Sequence, residues 1–117
     1  MRLRSEIWVA AFVRRVFAEG AAAYVARRGD PDAGAVFIRL VAGGAIRVFM
    51  PAPPWLAEDG DRSWHERGDG AGLSLADAEA ALQREVANDP DLWIVDVEDK
   101  HGRHFLDGFL IEGPDTG

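Results

Sequence analysis

The six residues from Trp93 to Glu98, WIVDVE, are the strongest constraint on how this chain can fold. Trp93, Val95 and Val97 alternate with Ile94, Asp96 and Glu98. That period of two, with one wholly apolar side, marks a strand with one face in a core. Asp99-Lys100-His101-Gly102 has the residues of a tight turn, so Arg103 to Leu106 is expected to return as the second arm of a hairpin. Such a strand needs a sheet to join and an apolar layer to cover it.

The layer is supplied by two helices. From about Glu6 to Glu19, Trp8, Phe12 and Val16 recur at i, i+4, i+8 with Val9, Val13 and Phe17 beside them, a wide apolar face. Ser5 is placed to cap this helix and Gly20 to end it. Ser74 and Asp77 form an acidic variant of the capping box before a second helix, Leu75 to about Ala87. Its apolar face is Leu75, Ala78, Leu82 and Val86.

Between the helices lie three strand candidates, residues 21–28, 35–42 and 45–50. They are joined by the turn-forming runs GDPDAG and Gly43-Gly44. Short connections predict an antiparallel meander. Its core face is read as Tyr24 with Val36, Ile38, Leu40, Ile46, Val48 and Met50. The opposite face then carries Val25, Arg27, Phe37, Arg39, Arg47 and Phe49. Residues 51–72, rich in Pro, Gly and Asp, form a long loop holding Trp55 and Trp64. Phe109 to Ile111 extends the last strand, and residues 113–117 are expected to fray. The prediction is one α+β domain over 1–117. It has two layers, a mainly antiparallel sheet of about five strands with both helices on one face, in the order α-β-β-β-α-β-β.

At 117 residues with 48 per cent hydrophobic side chains, the chain can bury a core of its own. Each buried Phe or Leu contributes about 1.5–3 kcal/mol. There is no cysteine, which removes disulfides and thiolate metal sites and fits a reducing cytoplasm. No apolar run approaches the ~20 residues that span a bilayer, so a cytoplasmic protein without membrane contact is expected. Net charge is −7, split between +4 over residues 1–50 and −11 over residues 51–117. Pairing of the two halves within one fold accounts for that split.

The runs SEIWVAAFVRR, RRGDPDAGAVFI, PAP after the third strand, and DPDLWIVDVEDKHGRHF resemble a small bacterial family, domain of unknown function 1491. The resemblance spans Arg2 to about Leu106. It implies a single cytoplasmic α+β domain and brings no activity, cofactor or catalytic residue with it.

Candidate chemistry is sparse. His101 and His104 stand near Glu98, Asp99 and Asp107, and imidazole with carboxylate suits zinc or iron. The turn at Gly102 argues against convergence, so both remain weak metal candidates. Asp96 and Glu98, about 7 Å apart on one strand face, have the spacing of an acid–base pair. Ion pairs to Arg39 or Arg47 explain them better. Gly68-Asp69-Gly70-Ala71-Gly72 lacks the Lys-Ser/Thr step of a phosphate loop. Ser5, Ser63 and Ser74 lie in no nucleophile elbow. No catalytic residue and no cofactor is assigned.

The candidate binding surface is Arg27, Phe37, Arg39, Arg47 and Phe49, with Trp55 and Trp64 from the loop. Two Phe side chains on adjacent strands would make an apolar patch that monomers seldom leave bare. A protein-interaction or self-association module, with a homodimer through this patch, is the first reading. A small anion or single-stranded RNA on the Arg/Phe face is the alternative, and an enzyme the third. The acidic charge disfavours duplex DNA.

Overall fold

A computed structural model describes residues 2–56, 61–68 and 70–111. The expected α+β class, with two helices and a five-stranded, mostly antiparallel sheet, is what the chain forms. α1 spans Ser5–Ala18, β1 Ala22–Arg27, β2 Val36–Ala42, β3 Ala45–Pro51, β4 Trp64–Glu66, α2 Leu75–Asn88 and β5 Trp93–Glu98. The strands lie in the order β1-β5-β2-β3-β4.

β1 and β2 are not neighbours, so the predicted meander is only half present. β5 inserts between them, antiparallel to β1 and parallel to β2. Both edges of β5 are thereby used, and Arg103 to Leu106 has no edge left to join. The Asp99–Gly102 turn does form, with Gly102 N donating to Asp99 O. The chain then leaves the sheet and lays Phe105 and Leu106 into the core. The fifth strand is β4 instead, inside the expected loop and antiparallel to β3. The expected fraying at 113–117 falls outside the described residues, as does Asp69 of the glycine run.

The two-residue Gly43-Gly44 turn, both glycines at positive φ, sets the β2–β3 register. It places Ala42 opposite Ala45 and therefore Ile38 opposite Phe49 and Arg39 opposite Val48. Phe49 thus shares a face with Val36, Ile38, Leu40, Val95 and Val97, under Val9, Phe12 and Val16 of α1. Phe37 points the other way, joining Ile46, Val48 and Ile94 under Ala78 and Leu82 of α2. The helices consequently cover opposite faces of the sheet, not one, and the single core face read from the sequence was a mixture of two. With both faces covered, β2 carries a nearly unbroken apolar run interrupted at Arg39, as strands buried on both sides do.

The helix ends are built as local chemistry dictates. Gly20, at φ 88°, ends α1 in a Schellman arrangement: its N–H bonds Phe17 O while Ala21 N–H bonds Val16 O. Ser74 caps α2 by accepting from Asp77 N. Ser5 is not the cap of α1 but its first residue. It is fully buried, and its hydroxyl donates to Gly34 O at 2.6 Å. The carbonyls of Pro31 and Asp32 take the first helical N–H groups. The 29–34 turn is pressed against the start of β5. A Cβ on Gly29 would come within 2.2 Å of Asp91 O, which is why glycine stands there. Leu75, expected on the apolar face of α2, is exposed at its first turn.

Candidate binding cleft

The predicted surface does not assemble. Phe37 and Phe49 are buried on opposite faces, at 6% and 0% exposure. Arg39 is gripped through two oxygens by Asp96, at 2.7 and 2.9 Å, and bonds Glu79 of α2 at 2.6 Å. Arg47 is held the same way by Glu66, at 2.8 and 2.7 Å. Arg27 donates to Pro90 O. Trp64 is an interior residue whose indole N–H donates to Val36 O. Trp55 is 81% exposed. Asp96 pairs with Arg39, the ion-pair explanation of that carboxylate, whereas Glu98 meets the Tyr24 hydroxyl, raising the phenol pKa.

The histidines sit apart. His101 is exposed in its turn. His104 is half-buried, accepts from Leu106 N at Nδ1, and has its ring 5.3 Å from that of Phe49. Burial lowers its pKa. Among the described residues no three His, Asp or Glu side chains are grouped as a metal site would require. Asp99 is buried beneath Arg103, whose guanidinium and backbone N–H both bond it. These bonds hold its carboxyl far below the usual range and lock the turn after β5.

A different site lies along α1. Trp8 stacks on Phe12, with centroids 4.9 Å apart, and leans on Trp64 at 4.8 Å. It is only partly covered and forms a rigid aromatic floor. The far wall is the C-terminal segment, strapped to β4: Trp64 N donates to Phe109 O at 2.8 Å and Ile111 N to Trp64 O at 2.7 Å. Phe105, at the start of this segment, has φ 61°, a conformation that L side chains rarely adopt. Arg15 of α1 holds it by bonding its carbonyl. Between floor and wall are two adjoining hollows. One, of about 190 Å³, lies among Leu3, Trp8, Ala11, Phe12, Arg15 and Phe109. The other, of about 210 Å³, lies among Arg2, Leu3, Trp8, Asp61, Arg62 and Phe109.

Arg62 is the unusual member. It is 7% exposed, and its Nη2 donates to Leu3 O and to Ser5 Oγ. Burial, reinforced by the Arg2 charge, draws its pKa down to about 10. Sequence reasoning missed this cleft. It assigned Trp8 to the core and singled out neither Leu3, Arg62 nor Phe109. One signal was present: apolar Leu3, Ile7 and Ala11 recur at i, i+4, i+8 beside the main face of α1, more apolar surface than one sheet covers.

The arrangement is thus a small α+β domain with a helix on each sheet face and a cleft beside α1. Residues 3–107 match the family described as Protein of unknown function (DUF1491), and the chain belongs to that family. A crystal structure of a DUF1491 family protein from Caulobacter crescentus CB15 is 38% identical. The match covers 96% of this chain and 100% of that one, with a TM-score of 0.79. A solution structure of a protein from A. tumefaciens is 36% identical, covering 99% and 100%, with a TM-score of 0.80. No curated protein matches the chain. Among the described residues no helix is long and apolar enough to cross a membrane.

Proposed function

We propose that this domain is a non-catalytic interaction module that takes a short segment of a protein partner along α1. The observation carrying this reading is the pair of adjoining hollows over Trp8. Each is smaller than the ~300–1,000 Å³ that encloses a drug-sized ligand, and both are open at the surface. Their size and apolar floor suit side chains presented by a passing chain. The rim supports the same reading. Leu3 and Phe109, which line both hollows, are 47% and 38% exposed, and adjoining exposed apolar residues mark interaction sites. The anion or RNA alternative on the sheet loses its basis, because Arg39 and Arg47 are already occupied by carboxylates. The homodimer through Phe37 and Phe49 loses its basis too, because both lie inside.

Selection of a displayed random-peptide library on the whole chain tests the reading. Enriched peptides are expected to bind the wild type and to lose at least about tenfold in affinity for Leu3→Asp and for Phe109→Asp. Both substitutions are at exposed positions, and native far-UV circular dichroism should accompany them. Failure to enrich any sequence overturns the proposal. So does an enriched peptide that binds both variants as well as the wild type.

A further inference from the structure

The geometry points to an acidic side chain beside the apolar one in the bound segment, with Arg62, and Arg2 next to it, receiving the carboxylate. This rests on reading the cleft as a protein-binding site. Arg62, which is buried, contrasts with the half-buried arginines of the sheet. Arg39 and Arg47 each face a carboxylate squarely, and those bonds raise their affinity for the proton. Arg62 is 7% exposed, yet among the described residues no carboxylate is paired with it. Among the described residues its guanidinium donates to two uncharged acceptors, Leu3 O at 3.1 Å and Ser5 Oγ at 2.8 Å. Its enclosed Nε has no acceptor among the described residues.

A neutral donor would serve Leu3 and Ser5 equally well. A cation that is buried without a counter-charge is costly to fold around, so what distinguishes arginine here is the charge itself. Arg2 lines the same hollow and adds a second positive charge. Asp61 also borders the hollow, and the Arg62 equilibrium is set by burial and by the Arg2 charge, both lowering it. At neutral pH the guanidinium remains protonated. The hollow is thus apolar at Trp8, Leu3 and Phe109 and positive at its Arg62 end. An aromatic or branched side chain followed by Asp or Glu complements both parts. The carboxylate supplies a counter-charge that no described residue provides, in a water-poor setting where a charge-assisted hydrogen bond is strong.

Three capped peptides test this on the intact wild-type chain by calorimetric titration, with amide shifts at Leu3, Trp8, Arg62 and Phe109 reporting location. They are acetyl-Leu-Phe-Glu-amide, its Gln isostere, and acetyl-Leu-Phe with a free terminal carboxylate. The Glu peptide is expected to bind at least about tenfold tighter than the Gln peptide, with the gap narrowing as salt is raised. Arg62→Gln should erase that gap while leaving the affinity of the Gln peptide in place. If Arg62→Gln melts below the working temperature, Arg2→Gln, at an exposed position, should still narrow the gap. Equal binding of the Glu and Gln peptides at the cleft overturns the acidic preference and leaves the interaction module standing. A terminal carboxylate that binds tenfold tighter than the Glu peptide overturns the side-chain source in favour of a chain end. Binding by none of the three overturns the inference outright, and the displayed library then decides separately whether the cleft binds protein.

Discussion

On the α1 face of the sheet, Phe12, Phe49, Trp64, Trp93 and Phe105 meet beneath the helix. On the α2 face, the helix brings Ala78 and Leu82 onto Phe37, Val48 and Ile94, and Glu79 reaches down to Arg39. The first helix is held by large aromatic area, the second by small side chains and an ion-pair network. Burial of apolar area gains free energy in proportion to that area. Partly exposed ion pairs add little. The α1 face should therefore carry most of the stability, and it also carries the cleft. Its aromatic floor serves two ends at once: Trp8 is cemented from below by Phe12 and Trp64 and left partly open above.

The largest expected effect separates the two faces directly. Phe49→Ala removes a fully buried ring and should cost about 3–5 kcal/mol. Leu82→Ala, where helix and sheet can close over a smaller void, should cost about 2–3 kcal/mol. Urea unfolding followed by tryptophan fluorescence measures both. Equal losses would show that the α2 face is packed as tightly as the other, and the distinction drawn above would fail.

The same two residues show how much was legible beforehand. Both helices, the Ser74 cap, the Gly20 stop and the Gly43-Gly44 turn follow from local chemistry, and they stand where the residues placed them. The faces went wrong at two steps, the β2–β3 register and the placing of both helices on one side. A two-residue turn at 43–44 puts Ile38 opposite Phe49, so reading the register through the turn would have paired even positions of β2 with odd positions of β3. Reading Ile38 and Val48 on one face slipped the register by one and joined Phe37 with Phe49 on the other, which helices expected on a single side then left bare. The insertion of β5 between β1 and β2 had no local signal. It is a parallel pairing across more than fifty residues, chosen because β5 is apolar enough to need neighbours on both sides. The cleft was hidden for a related reason. Leu3, Arg62 and Phe109 come from three distant segments, and only the strapping of the C-terminal segment to Trp64 brings them together.

A middle-sized effect concerns the polar half of the comparison. The Arg39 and Asp96 side chains are 16% and 20% exposed, enclosed enough for two-point contact to count and open enough for water to screen it. In a double-mutant cycle of Arg39→Met and Asp96→Asn, a coupling of about 1–2 kcal/mol is expected. Loss of Arg39 should also loosen α2, seen as faster amide exchange at Ala78 and Leu82 than at Val9 and Phe12. If exchange accelerates equally in both helices, the network supports the whole sheet rather than the α2 side.

The smallest effect tests whether the aromatic face has a polar weakness. His104 sits against Phe49 with Nδ1 accepting the Leu106 N–H, an arrangement that needs the ring neutral at that nitrogen. Burial, the leading cause, lowers its pKa, with the Arg47 charge assisting and Asp107 and Glu66 opposing. The sign follows from linkage. A folded-state pKa below the unfolded value of about 6.5 means that the unfolded chain binds the proton more readily. His104 therefore takes nothing from stability above about pH 6.5, and stability declines as the pH falls from there through the folded-state pKa. Asp99, whose carboxyl is held well below the usual range by Arg103, loses its contribution further down in the acid range. The interval just below pH 6.5 is accordingly where His104 can be read. Melting temperatures across it should fall for the wild type and stay level for His104→Gln, whose amide oxygen can accept from Leu106 N without titrating. A decline that persists unchanged in His104→Gln would assign it to another group. The strap that forms the far wall of the cleft would then be insensitive to protonation at its base.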